Sequence, residues 1–349
     1  MKRLVAWLAC LVLAGCLEEP EVVAPDRPPG TGTTPAPRVL VVNSLSETLS
    51  SLDLATSEMT VRAALLGRWP SRLESAGNER ILAVASGDNA VDVLDARSLA
   101  VVHSIDIGIG ANPWHAFPYS NRHAIVSGWQ AHEVRRIDWV LGRASAPLPT
   151  HAGPEGIVVS GTLAFVACTG YVGGDEGYET GRVDVIDLDA WTVVRSIDVG
   201  RNPQDLCMDA SGRVHVLCTG TYGAGSKPEA GSVHIVDANS FAVEAVVPLG
   251  GSPGRFVCTD AGIVWVAGFE GGVRRYDAES GAILPELADA TLAAAGFSAV
   301  DWDATTDTIW LTHFELDLLL AVDASSGAID DQWIVGDGPG DVLVFRPEN

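Results

Sequence analysis

Seven times along this chain a short alternating segment ends in aspartate: LSSLD at Asp53, VDVLD at Asp95, VRRID at Asp138, VDVID at Asp187, VHIVD at Asp237, VRRYD at Asp277 and LLAVD at Asp323. The intervals are 42, 43, 49, 50, 40 and 46 residues, a period at which each copy is one supersecondary unit unable to bury its apolar face alone. Other landmarks recur in the same order. An apolar run precedes each aspartate segment, as in VLVVNS, ILAVAS, AFVACT, IVWVAG and IWLTHF. A further strand follows it, often closing on Gly with Pro nearby, as at Pro113, Pro203, Pro253 and Pro339. One more short strand and a turn such as Asp209-Ala210-Ser211-Gly212 complete the copy. Four strands per copy and seven copies predict an all-β fold, a seven-bladed β-propeller of four-stranded antiparallel blades.

The residue types fit that expectation. Inner strands of stacked blades are buried on both faces, so they read as continuous apolar runs rather than strict alternation. The recurring aspartate stands where a strand enters a turn, and its carboxylate can accept backbone N–H bonds there. Seven copies of it point to a structural role. The repeat at Arg38 begins with the second strand of a blade, and Asp341–Phe345 reads as a first strand with nothing after it. The N- and C-terminal strands are therefore expected to share one blade and close the ring, which removes open sheet edges.

The pattern of Pro, strand, turn, apolar strand, V-x-V-I-D, strand and Gly resembles the YVTN-type repeat family, whose wider circle includes lactonase-like propellers and the propeller domains of nitrous-oxide reductase and quinoprotein amine dehydrogenases. The likeness covers the chain after Arg38. The signature tetrapeptide itself has drifted: its nearest image is Val41-Val42-Asn43-Ser44. The resemblance implies the fold strongly and function weakly.

Before the repeats, Lys2 and Arg3 precede an eleven-residue apolar run, Leu4 to Ala14. That run is too short to span a bilayer as a mature helix and reads as an export signal. The junction Leu13-Ala14-Gly15-Cys16 resembles a bacterial lipobox, which implies a signal peptide over 1–15 and lipid attachment at Cys16. Residues 16–37, with six prolines and no apolar period, read as a solvated tether; residues 38–349 form the propeller. A membrane-anchored protein of the cell envelope is expected, placed by Leu17 at the outer membrane. Loss of Lys2 and Arg3 would leave 20 basic against 45 acidic residues, a net charge of −25. Such a surface repels phosphate backbones and excludes nucleic acid as a partner.

Four cysteines follow Cys16: Cys168, Cys207, Cys218 and Cys258. In an oxidising compartment one or two disulfides are expected, with three possible full pairings, and buried free thiols are the alternative. Propeller ligands meet the mouth of the central channel. Positions just after the repeat proline would line it: Arg72, Trp114, His115, Glu155, Gln204, Asp205, Arg255 and Asp341. A second loop set adds Trp129, His132, Tyr171, Tyr222, Phe269, His313 and Phe314. Aromatic faces can stack on a ligand and arginines can hold carboxylates; the alternative is a ring of charges that only neutralise one another. Blades four and five share an inserted loop, in which Asp175, Glu176 and Glu179 read as a solvated acidic tip rather than a calcium site.

The eight histidines include no pair at ligand spacing on one element, so the copper chemistry of nitrous-oxide reductase does not carry over and no metal site is expected. No nucleophile elbow, zinc-protease motif or phosphate-binding loop occurs, and no cofactor is expected. The leading reading is a non-enzymatic binding protein of the envelope that recognises a protein, peptide or glycan at the loop face. The rivals are a periplasmic enzyme of lactonase-like or quinoprotein-partner type, with His115 facing Asp205 or His313 facing Glu315, and a structural envelope component.

Overall fold

The computed structural model describes residues 35–347, apart from 78, 174–176, 222–228 and 288. Each repeat forms one antiparallel sheet, and seven sheets make up a ring. Blade 2 gives the plan. Pro70–Ser75 faces the channel, followed outward by Arg80–Ala85, Ala90–Asp95 and Val101–Asp106. The inner strands of blades 3 to 7 are Pro113–Pro118, Pro154–Ser160, Pro203–Met208, Ser252–Cys258 and Phe297–Asp303. Outer strands vary where proline removes a backbone donor. In blade 3 the outer strand is split into Arg143–Ala144 and Leu148–Pro149 around Pro147. In blade 6, where Pro285 follows, it shrinks to a single bridge between Tyr276 and Ile283.

Blade 1 is closed from both ends of the folded region, as the sequence predicts. Pro339–Phe345 is its inner strand and pairs antiparallel with Arg38–Asn43, Arg38 opposite Phe345 and Val41 opposite Val342. Alternation in Arg38–Asn43 then serves two cores. Val39 and Val41 pack with Ala299, Trp310 and Leu319 of blade 7. Leu40 and Val42 pack with Leu73, Ile81 and Leu94 of blade 2. This two-sided burial explains the continuous apolar runs.

All seven repeat aspartates accept backbone N–H bonds from the turn that follows, for example Ala55 and Thr56 onto Asp53, and Asp189 and Ala190 onto Asp187. The residue four positions on is left-handed in every blade: Ser57, Leu99, Gly142, Trp191, Phe241, Gly281 and Gly327. The aspartate thus fixes the hairpin to the outer strand, which is the role its repetition implied.

Cys207 and Cys258 form a disulfide between the inner strands of blades 5 and 6, while Cys168 and Cys218 are buried free thiols. The inserted loop of blade 4 is a small hairpin, Tyr171–Gly173 with Gly177–Tyr178; Asp175 and Glu176 lie outside the described residues.

Candidate functional site

The repeat proline organises the channel. Each inner strand carries a register shift just after its first residue, as between Pro70 and Arg72, Pro113 and His115, Pro203 and Asp205, and Pro253 and Arg255. Proline brings no N–H to the ladder, so a bulge there forfeits little, and a bulge re-aims the side chains that follow. Hydroxyls of the preceding blade take up the carbonyl beside it: Ser44 donates to Pro70 (2.9 Å), Ser86 to Pro113 (2.6 Å), Ser127 to Glu155 (2.7 Å) and Thr219 to Pro253 (2.7 Å).

Two residues beyond the proline the side chains meet around the channel. Arg72 Nη1 lies 2.7 Å from Asp205 Oδ1, and Arg255 Nε lies 3.9 Å from Asp341 Oδ1. These acceptors also tie the inner strands together. Asp341 takes the N–H of Leu73 (2.8 Å), His115 Nδ1 that of Ile157 (3.0 Å) and Asp205 that of Phe256 (3.4 Å). Because His115 Nδ1 accepts, Nε2 carries the proton and donates to Glu74 Oε1 at 2.7 Å. His115 is fully buried, and burial, with Arg72 and Arg255 nearby, pushes its pKa well below the usual histidine value. The expected pairing of His115 with Asp205 is absent, since Asp205 is engaged by Arg72.

Two chambers meet at Arg255, which lines both. An upper chamber of about 410 Å³ is walled by Leu45, Trp69, Trp114, Phe269 and Phe314, with Arg255 at its base. A lower chamber of about 260 Å³ is lined by Arg72, Glu74, Asp205, Asp301 and Asp341 together with Arg255. Burial pushes Glu155 up to about 8 against the pull of Arg255, Glu74 up to about 7 against Arg72, and Asp341 up to about 6 against both arginines. Asp301 rises to about 7 by burial, despite N–H bonds from Val344 and Trp302. Burial also acts to raise Asp205, but Arg72 and Arg255 hold it below the ordinary aspartate value.

Several buried polar atoms at this level have no hydrogen-bond partner: Arg255 Nε, Trp114 Nε1, Asn112 Oδ1 and Glu155 Oε2. Such groups are costly unless something pairs with them.

Among the residues singled out from sequence, Trp114, Gln204, Arg255, Phe269 and Phe314 reach the upper chamber, while Arg72, Asp205 and Asp341 line the lower one. Trp129 and Tyr171 stack on each other at 5.3 Å, with Tyr178 beside them, and line neither chamber. His313 is buried edge-on against Phe297 and Glu315 is exposed. Tyr222 and Cys16 lie outside the described residues.

Three participants were not anticipated. Glu74 and Asp301 stand four residues after the inner-strand start, where other blades carry Phe117, Val158, Val257 and Leu343, so aligning the repeats two positions further would have flagged them. Trp69 precedes Pro70 in the left-handed region at φ 49°, where blades 3, 4, 5 and 1 have Asn112, Gly153, Asn202 and Gly338. A tryptophan there, 66 % exposed, is the residue type that position least accommodates, and such outliers gather at functional sites.

No protein-family model matches the sequence, and no curated protein matches it. Solved structures do. Hydrazine synthase of Kuenenia stuttgartiensis superposes with a TM-score of 0.64 at 18% identity, over 78% of this chain and 88% of that one. A streptogramin B lyase gives 0.60 at 13% identity, over 77% and 84%. Apo AztD from Citrobacter koseri gives 0.55 at 13% identity, over 88% and 97%. Likeness at these identities shows the fold alone, and proteins of different names share it.

Proposed function

We propose that this chain is an envelope lipoprotein of the YVTN-type propeller family, anchored through Cys16, whose upper chamber binds a ligand without transforming it. A segment of a protein, a peptide or a glycan would enter from the loop face. The observation that carries this reading is the aromatic wall of the upper chamber set around buried polar atoms that lack partners. The acid–base pair anticipated for an enzyme, His115 with Asp205, is not assembled: His115 holds Glu74 and the Ile157 N–H, and Arg72 holds Asp205. General acid–base work needs a titratable group within reach of an open pocket and a pKa near the working pH, and His115 has neither. The lipobox-like Leu13-Ala14-Gly15-Cys16 and the proline-rich tether support the anchor.

The enzyme reading draws on two structural neighbours whose names are those of enzymes. One experiment separates the two readings. Peptide and glycan libraries are screened by thermal shift, and each binder is retested on Trp69→Ala and Trp114→Ala. Binding weakened about tenfold or more in both, with ligand recovered chemically unchanged, is the expected result. Undiminished binding in both variants refutes the site, and a converted ligand favours the enzyme. For the anchor, Cys16→Ser should move the protein from the detergent phase to the aqueous phase, because membrane residence depends on the acyl chains.

A further inference from the structure

Two arginines reach the channel and they are not equivalent. Arg72 is paired with Asp205 at 2.7 Å. Arg255 is 9 % exposed, its Nε has no hydrogen-bond partner, and its nearest carboxylate, Asp341, stands off at 3.9 Å. Among the described residues lining the upper chamber, Arg255 alone is charged.

The hydroxyls that a sugar would seek are largely spent. Ser44 donates to Pro70, Ser71 to Trp114, Ser86 to Pro113, and Ser298 to Pro339. What the base of the chamber offers is therefore the charge of the Arg255 guanidinium, and what encloses it is aromatic.

We propose that the ligand bears a carboxylate on an apolar, ring-bearing body, with the Arg255 guanidinium receiving the carboxylate and Trp69, Phe269 and Phe314 enclosing the body. The inference rests on the upper chamber being the binding site. A carboxylate offers the guanidinium a bidentate, charge-assisted contact, stronger than a neutral amide can provide. An ammonium group would meet the guanidinium as a like charge. The chamber volume of about 410 Å³ falls within the range of small-molecule pockets, roughly 300–1,000 Å³. The carboxylates behind Arg255 do not oppose this at neutral pH in proportion to their number, because burial keeps Glu155 protonated up to about 8.

The test uses the intact folded protein and matched probes in calorimetry: 3-phenylpropanoate, 3-phenylpropanamide, 3-phenylpropylamine and methyl β-glucuronide. Wild type should bind the propanoate about tenfold or more tightly than the amide, the step from a neutral to a charge-assisted bond, and the amine least. Arg255→Gln should erase the difference between acid and amide. Trp69→Ala, at an exposed position, should weaken both and keep the difference. Equal affinity for acid and amide in wild type overturns the proposal, as does tightest binding of the glucuronide, or no binding of any probe. Equal affinities that both fall in Trp69→Ala would leave the binding reading standing and remove only the carboxylate. Should Arg255→Gln fail to fold, the wild-type comparison of acid, amide and amine decides alone.

Discussion

Arg72 of blade 2 and Asp205 of blade 5 are 133 residues apart in sequence and meet as an ion pair at 2.7 Å inside the channel. Asp205 is 1% exposed as a side chain, so its charge depends on the guanidinium for compensation. Removing one member of a buried pair leaves the other uncompensated and costs about 3–5 kcal/mol. Arg72→Met should lower stability to urea by about that amount, and adding Asp205→Asn should restore most of the loss. Additive losses in the double variant would show that the pair is not coupled.

Stability should fall as pH rises from about 6.5 to 8.5. A carboxyl whose pKa is raised by folding holds its proton more tightly in the folded state, so the folded chain carries the extra protons until pH passes the raised value. Glu155 at about 8, Glu74 and Asp301 at about 7 and Asp341 at about 6 all act in this direction. His115 acts oppositely: below about 6.5 the unfolded histidine gains a proton that the buried one refuses. His215 and His234, also held below the ordinary value by burial, act the same way, so the carboxyls act unopposed only above about 6.5. Below about pH 4 the sign reverses, because Asp138, held at about 2 by the Arg122 side chain, must be protonated. Glu155→Gln should flatten the alkaline slope by up to about 1.4 kcal/mol per pH unit. An unchanged slope of unfolding free energy against pH would sink this assignment.

Ring closure makes the last strand indispensable. Pro339–Phe345 buries Val342 and Phe345 and covers the edge of Arg38–Asn43. Deleting residues 339–349 should expose that edge to pairing between chains, giving oligomers in size-exclusion chromatography. A synthetic peptide of the deleted residues should restore the monomer. A truncated chain that stays monomeric with its melting temperature intact would refute the closure.

Cys207 and Cys258 staple blades 5 and 6 across a sequence separation of 51 residues. Replacing both with alanine should cost about 2–4 kcal/mol in chemical unfolding, through the greater freedom of the unfolded chain. Reductant should reproduce the loss in wild type, whereas Cys168 and Cys218, both buried, should react with thiol reagents only after unfolding. A midpoint insensitive to reductant would count against the bond.

Some features were legible because their causes are local. The aspartate turn depends on residues within four positions of one another, and two-sided burial writes itself into runs such as IVWVAG. The proline register points to Arg72, Asp205, Arg255 and Asp341, which line the two chambers. Their partners were misread: His115 was matched with Asp205, yet it holds Glu74 and leaves Asp205 to Arg72. Trp129 and Tyr171 stack on each other, a contact between side chains 42 residues apart that no local pattern announces.

The amino-acid sequence by itself determined the blade, its sevenfold repetition and the closing strand, because hydrogen-bonded hairpins and alternating burial are set by neighbours along the chain. Only the tertiary structure decided which charges neutralise each other, which arginine stays under-bonded and which tryptophan stands open at the mouth. Those outcomes depend on side chains from blades on different sides of a ring, separated by up to hundreds of residues, whose distances exist only once the ring has closed.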